Sequence, residues 1–267
     1  MIKYRLVLIP VIVIFLSACF NNTGKRQKPD ITTDTLTYTY QSIKETATDC
    51  GTKPDSSCTT ANIKYPVFVK QSPLNDTLTR AMLKLFDSDP DKDLQKLAKN
   101  FITSYDAWKK AHKAATAHFK LNINATVVHQ DSSLLCLRID GISLAGNKHP
   151  IALTRFINWN TKTEKPILLD SILTKGSYPK LTAIAETIFR KQENLKDTSS
   201  LTRDYFFKGG KFSLNNSFII TQVGIHFLYN QYEIKPYNAG TTDLFIPYSQ
   251  IKALLKPNTV LAQYIKH

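Results

Sequence analysis

The 267-residue sequence has no apolar stretch approaching the ~20 residues that cross a bilayer; its clearest run, Leu6 to Leu16, is short and broken by Pro10. That argues against a permanent membrane-spanning helix. Linear catalytic motifs are missing too. None of His112, His118, His129, His149, His226 and His267 stands in an HExxH pair or at another short metal-ligand spacing. No GxSxG elbow and no phosphate-binding loop occurs. Metalloprotease, α/β-hydrolase and nucleotide-hydrolase chemistry are therefore not indicated, and no metal or cofactor is implied. The expectation is a protein that is not an enzyme. A glycosidase with dispersed carboxylates leaves no linear trace, so that class stays open as an alternative. There is no internal repeat.

Cysteine is also scarce, at four residues. Lys3 and Arg5 precede the apolar run, and Leu16-Ser17-Ala18-Cys19 ends it. Positive residues, a short apolar core and small residues before the cut site make a cleavable export signal. The last four residues match the bacterial lipobox. Residues 1–18 are thus expected to be a signal peptide, Cys19 the lipidation site, and 19–33 a polar tether. Acyl chains of the palmitate type anchor at about 0.8 kcal/mol per buried CH₂. An ordinary signal with a chance cysteine is the alternative. Phe20, not Asp, follows Cys19, so nothing signals inner-membrane retention. The expected location is the cell envelope, lipid-anchored, at the outer membrane.

Cys50 and Cys58 flank a turn-rich segment, DCGTKPDSSC. In an exported chain they are expected to form a disulfide, contributing roughly 2–3 kcal/mol by closing a short loop. Metal binding there lacks a four-ligand set. Cys136, in SSLLCLRI, reads as a buried small hydrophobe rather than a nucleophile.

Acidic residues are few against basic ones, 21 to 35, giving +14, or +12 once Lys3 and Arg5 leave with the signal. Such a charge draws a protein toward anionic surfaces. The alternative is plain solubility, with Lys109, Lys110 and Lys113 on a solvated helix face. Nucleic acid is not an expected partner in this compartment. The acidic run Asp87, Asp89, Asp91, Asp93 lacks the Gly and Glu of a calcium loop. It fits an Asp-rich helix start better.

Along the chain, TLTYTYQSIKETAT and ANIKYPVFV alternate as the two strands of a hairpin stapled at its tip. A helix is expected from about Pro73 to Phe86. A second carries Leu94, Leu97, Phe101, Tyr105, Trp108, His112, Ala115 and Phe119 at helical spacing. Strand patterns follow through Asn160, then a short strand and helical turn in PILLDSIL. Another amphipathic helix runs through Tyr178, Leu181, Ala185 and Phe189. Hairpins are expected from FFKGGKFSL through SFIITQVGIHFLYN, and a last helix from Pro247. Strands and helices do not alternate one for one, so the expected class is α+β, a mainly antiparallel sheet packed on amphipathic helices. Residues 34–267 would be the globular region, divisible at about 34–175 and 176–267.

One stretch is more specific. FLYNQYEIKPYNAGTTDLFIPYSQIKALL holds Tyr232, Ile234, Tyr237 and Gly240 at Tyr-x-Ile-x-x-Tyr-x-x-Gly spacing, then Ile246, Pro247 and Tyr248. It resembles the C-terminal signature of the RsiV-like family of domains of unknown function. The cysteine pair, Tyr65-Pro66 and the Leu-Asp-Ser-Ile-Leu element at 169–173 occur in the family's order. Where members carry a Gly-Gly-Ala-His turn, this chain has Ala145-Gly146-Asn147-Lys148-His149. Members include a lysozyme-sensing anti-sigma factor ectodomain and the accessory domain of a peptidoglycan deacetylase. The resemblance implies an envelope module that binds a protein or glycan, with lysozyme binding as an alternative. Read physically, the same residues serve structure: a bent strand, a left-handed turn at Gly240, and Pro247 at the first helical position.

Overall fold

The computed structural model describes residues 35–86, 93–146 and 149–265. Cys19, the signal and tether through residue 33, and Asp87, Asp89 and Asp91 lie outside the described residues.

The expected hairpin is present. β1 (Tyr38–Thr46) pairs antiparallel with β2 (Thr60–Phe68) from Tyr38↔Phe68 to Thr46↔Thr60. Cys50 and Cys58 are disulfide-bonded at its tip, Cα atoms 5.4 Å apart. Two helices, α1 (Ser72–Leu83) and α2 (Leu94–Ala111), then return the chain to the far side of β2. There β3 (Lys120–Gln130) joins β2 in the one parallel pairing of the sheet. β4 (Leu134–Leu144), β5 (Ile151–Asn160) and the two-residue β6 (Lys165–Pro166) extend it antiparallel. After the short α3 (Leu169–Ile172) and α4 (Tyr178–Gln192), a second antiparallel sheet forms from β7 (Phe218–Ile220), β8 (Gly224–Tyr229) and β9 (Thr242–Pro247). The short α5 (Tyr248–Ile251) follows. This is the α+β, mainly antiparallel architecture that the sequence pattern indicates. Among the described residues no helix is long and apolar enough to cross a membrane.

Two cores flank the six-stranded sheet. On one face Ala61, Ile63, Leu121, Ile123, Leu137 and Ile139 meet Leu74, Leu78, Met82, Leu97 and Ile102 of the first two helices. On the other, Leu134 and Cys136 meet Phe218, Ile220, Phe227 and Ile246 of the small sheet, with Leu181 and Phe189 of α4. Leu134 to Leu137 are all fully buried, which is why this strand start reads as a continuous apolar run rather than an alternating one.

Four expectations need correction. The apolar stripe does not stay helical to Phe119: α2 ends at Ala111 with His112 as its cap. Lys109 donates to the Ala115 carbonyl in the following turn, and Phe119 folds back against Tyr105 and Trp108, ring centroids 5.3 and 5.1 Å away. Side chains spaced for one helix face converge equally well when the chain doubles back. FFKGGKFSL forms no strand: Gly209 and Gly210 both take positive φ, which breaks a ladder, and Phe207 and Phe212 anchor the loop on Phe189. Residues 230–241 are a loop with one helical turn, Tyr237–Ala239, rather than a bent strand. Pro247 ends β9 and is the N-cap of α5, one position earlier than expected. At the start of α2, Asp93 behaves as the acidic run suggested, its carboxylate accepting the Lys96 N–H at 2.7 Å.

Candidate functional site

The second core covers only the β4–β5 end of its sheet face. Across β1, β2 and β3 the same face is open. Residues two apart on a strand share a face, and the register lines them up in rows. Ser42 stands opposite Lys64, Lys64 opposite Asn124, Asn124 opposite Asp140, and Asp140 opposite Thr154. The neighbouring row runs Lys44, Asn62, Asn122, Ile142. Directly opposed side chains lie about 5 Å apart, so these rows make a continuous floor in which amides and charged groups alternate with apolar area such as the exposed Ile142. It lines a groove of about 450 Å³ that includes Ser42, Lys64, Asn122, Asn124, Asp140 and Ile142.

The charges of this floor already have partners. Lys44 pairs with Asp55 at 2.7 Å. Arg138 holds both carboxylate oxygens of Asp140 at 2.9 and 2.8 Å, and Thr154 donates to that carboxylate at 2.6 Å. The Lys64 ammonium lies 5.1 Å from the centre of the exposed Tyr40 ring. The amides are less committed. Asn62 donates to the Asn122 side-chain oxygen at 3.1 Å, and Asn122 and Asn124 are both exposed. Such a surface offers amide hydrogen bonds beside exposed apolar area, with little net charge to satisfy.

The signature residues divide into two groups. Ile234 is buried, and its carbonyl accepts from the Phe206 N–H at 3.0 Å. Tyr248 is buried with its hydroxyl donating to the Thr221 carbonyl at 2.8 Å, and desolvation pushes that phenol up. Gly240 takes φ +71° after the helical turn, and Pro247 caps α5. These four serve the fold. Tyr232 and Tyr237 do not enter the core. Tyr232 is 63% exposed. Its ring lies 5.5 Å from that of Tyr237, which stacks on His149 at 5.2 Å and 25°. The Tyr237 hydroxyl donates to the Pro150 carbonyl at 3.3 Å. His149 and the signature are distant in sequence, and the fold makes them one exposed aromatic cluster. Asn230, in the same loop, grips both backbone groups of Thr154, at 2.7 and 3.2 Å, and Thr154 bonds Asp140 of the groove. The purely structural reading of the signature therefore holds for four of its six residues.

Elsewhere, Cys136 is a free buried thiol, its Sγ 3.3 Å from Asn158 Oδ1, and burial pushes it up to about 12. Among the described residues no three His, Cys, Asp or Glu side chains gather as a metal site. Sequence reasoning missed the groove. Its amides sit at alternate positions in strands that were read only for their apolar side.

Comparison with known proteins adds the following. Residues 170–249, from α3 to the start of α5, match the family model described as "Protein of unknown function (DUF3298)". No curated protein matches the sequence. A crystal structure of a DUF3298-family member from Bacteroides fragilis superposes with a TM-score of 0.68 at 23% identity, covering 86% of this chain and 97% of that one. A DUF3298-family protein from Pseudomonas aeruginosa gives 0.68 at 19%, covering 84% and 95%. At these identities the likeness is one of fold.

Proposed function

We propose that this chain is a non-catalytic envelope lipoprotein, anchored at the outer membrane through Cys19, that binds a protein or cell-wall glycan. The observation that carries the reading is the open groove with its rows of amides. A six-stranded sheet buries one face under helices and half of the other under a second sheet, yet presents three adjacent strands bare. The amide rows there suit a ligand rich in hydroxyl and amide groups. The leader, with its lipobox, supports the location. The resemblance to RsiV-like domains supports an extracytoplasmic binding role.

The two carboxyls whose surroundings shift them are not general-acid candidates. A general acid in glycoside cleavage needs a raised pKa. Burial works to raise Asp131, but hydrogen bonds from Tyr264, the Ser133 and Leu134 N–H groups and His129 outweigh it and hold the carboxyl below its ordinary range. Asp204 is lowered by its exposed Arg203 partner.

The resemblance favours lysozyme as a second reading. Common lysozymes are basic, and so is this chain, so long-range repulsion opposes their encounter. At physiological salt the screening length is about 8 Å, and calorimetry there is expected to show weak or no binding. Submicromolar affinity would put the lysozyme-binding reading first. For the main reading, changing Cys19 to Ala should shift the chain from membrane to soluble or precursor fractions. Immobilised protein should also retain an envelope component from extract. An unchanged mature membrane fraction would overturn the anchor, and an empty pull-down would overturn the binding role.

A further inference from the structure

The aromatic cluster beside the groove is built in a way that packing does not require. Five described non-glycine residues take positive φ: Lys70, Glu164, Asn194, Asn258 and Tyr232 at +65°. Tyr232 is the one aromatic among them. A bulky side chain in the left-handed region is an outlier, and such strain persists where the surroundings over-determine it. Here the ring it positions is 63% exposed and rests on Tyr237, which in turn rests on His149. A residue kept at a conformational cost with its ring in water gains little by burial. A glycine would satisfy the backbone better.

Two of the charges in the signature loop are already engaged, while Arg155 lines a neighbouring pocket with Asn230 and Glu233. Lys235 is paired with Glu193 at 2.9 Å. Glu233 accepts from the Asn215 side chain and the Asn230 N–H, each at 2.7 Å. Gln231 lies in the same loop and donates to the Tyr237 carbonyl at 3.4 Å. The cluster combines the exposed Tyr232 and His149 rings with the partly buried Tyr237, and is joined through Asn230 and Thr154 to the wall of the groove. That combination is complementary to the C–H face and equatorial hydroxyls of an uncharged sugar ring.

We propose that Tyr232, Tyr237 and His149 form a stacking subsite for a neutral hexopyranose unit of a glycan. This proposal rests on the binding role argued above and names the class of ligand. The test uses the full chain in detergent, the N-acetylglucosamine tetramer as probe, and calorimetry together with thermal melting. Wild type should bind the tetramer. Tyr232→Gly should weaken binding about tenfold or more while its melting temperature stays equal or rises, because the strain is released. Tyr232→Phe should keep binding. A Tyr232→Gly variant that melts lower and binds as wild type would overturn the subsite and return Tyr232 to a structural role. So would wild type that fails to bind the tetramer. Retention on purified wall glycan is measured in parallel. Wild type and Tyr232→Gly both retained there, with no tetramer binding, would sink the subsite and leave the binding role standing. No retention of either, together with an empty pull-down from envelope extract, would remove both.

Discussion

Asn158 of β5 donates from its side chain to the Phe218 carbonyl at 2.8 Å and accepts the Ile220 N–H at 2.9 Å. One amide of the large sheet thus completes the edge of the small one, in a place where neither backbone group meets water. Removing it strands two buried backbone groups, each worth about 1–3 kcal/mol when left unpaired. Asn158→Ala is expected to lower stability by about 2–4 kcal/mol in urea unfolding. Asn158→Leu should do the same, since the loss is of hydrogen bonds rather than volume. Near-wild-type stability for both would contradict this role.

Asp131 ties the turn before β4 to the C-terminal segment through Tyr264, and His129 of β3 bonds both partners. Its folded pKa lies below the ordinary value, which is about 3.9 in an unfolded chain. The stability it confers is therefore complete above that value and is lost as pH falls through the folded pKa. Tyr264→Phe should be less stable than wild type at neutral pH, with the gap closing in acid. A gap constant from pH 7 down to pH 2 would show that the Tyr264–Asp131 bond is not its source.

The thiols should behave unequally. Cys136 is buried and its thiol is pushed up to about 12, so a thiol reagent should find it only after unfolding. Mass mapping without reductant should recover Cys50 linked to Cys58. Replacing both with Ser should cost roughly 2–3 kcal/mol on the loop-closure model. Rapid labelling of native protein at Cys136 would contradict the packing of β4 against the small sheet.

These particulars show what was legible in advance. Period-two alternation in β1 and β2, the cysteine pair between them and the helical stripes of α1 and α4 depend on local rules, and they gave the right elements. Phe119 shows the limit. Its spacing from Trp108 fits a helix, but contact with Tyr105 and Trp108 is made by a reversal of the chain. Asn158 is another such case: nothing in FINWN distinguishes a surface amide from one that joins two sheets. The site was hidden for the same reason. Asn62, Asn122 and Asn124 look like ordinary polar strand positions until register places them side by side, and His149 is separated from Tyr237 by most of the second core.

The most direct test of the central claim in its glycan-binding form is sedimentation of the full chain with purified, insoluble wall glycan, with soluble reducing ends counted in the supernatant. The account predicts that wild type sediments with the glycan and releases no reducing ends. It also predicts that Asn122→Ala with Asn124→Ala, which removes two groove amides worth about 1 kcal/mol each, weakens retention by roughly tenfold or more. Failure of wild type to sediment, retention indifferent to both amides, or steady release of reducing ends would contradict it.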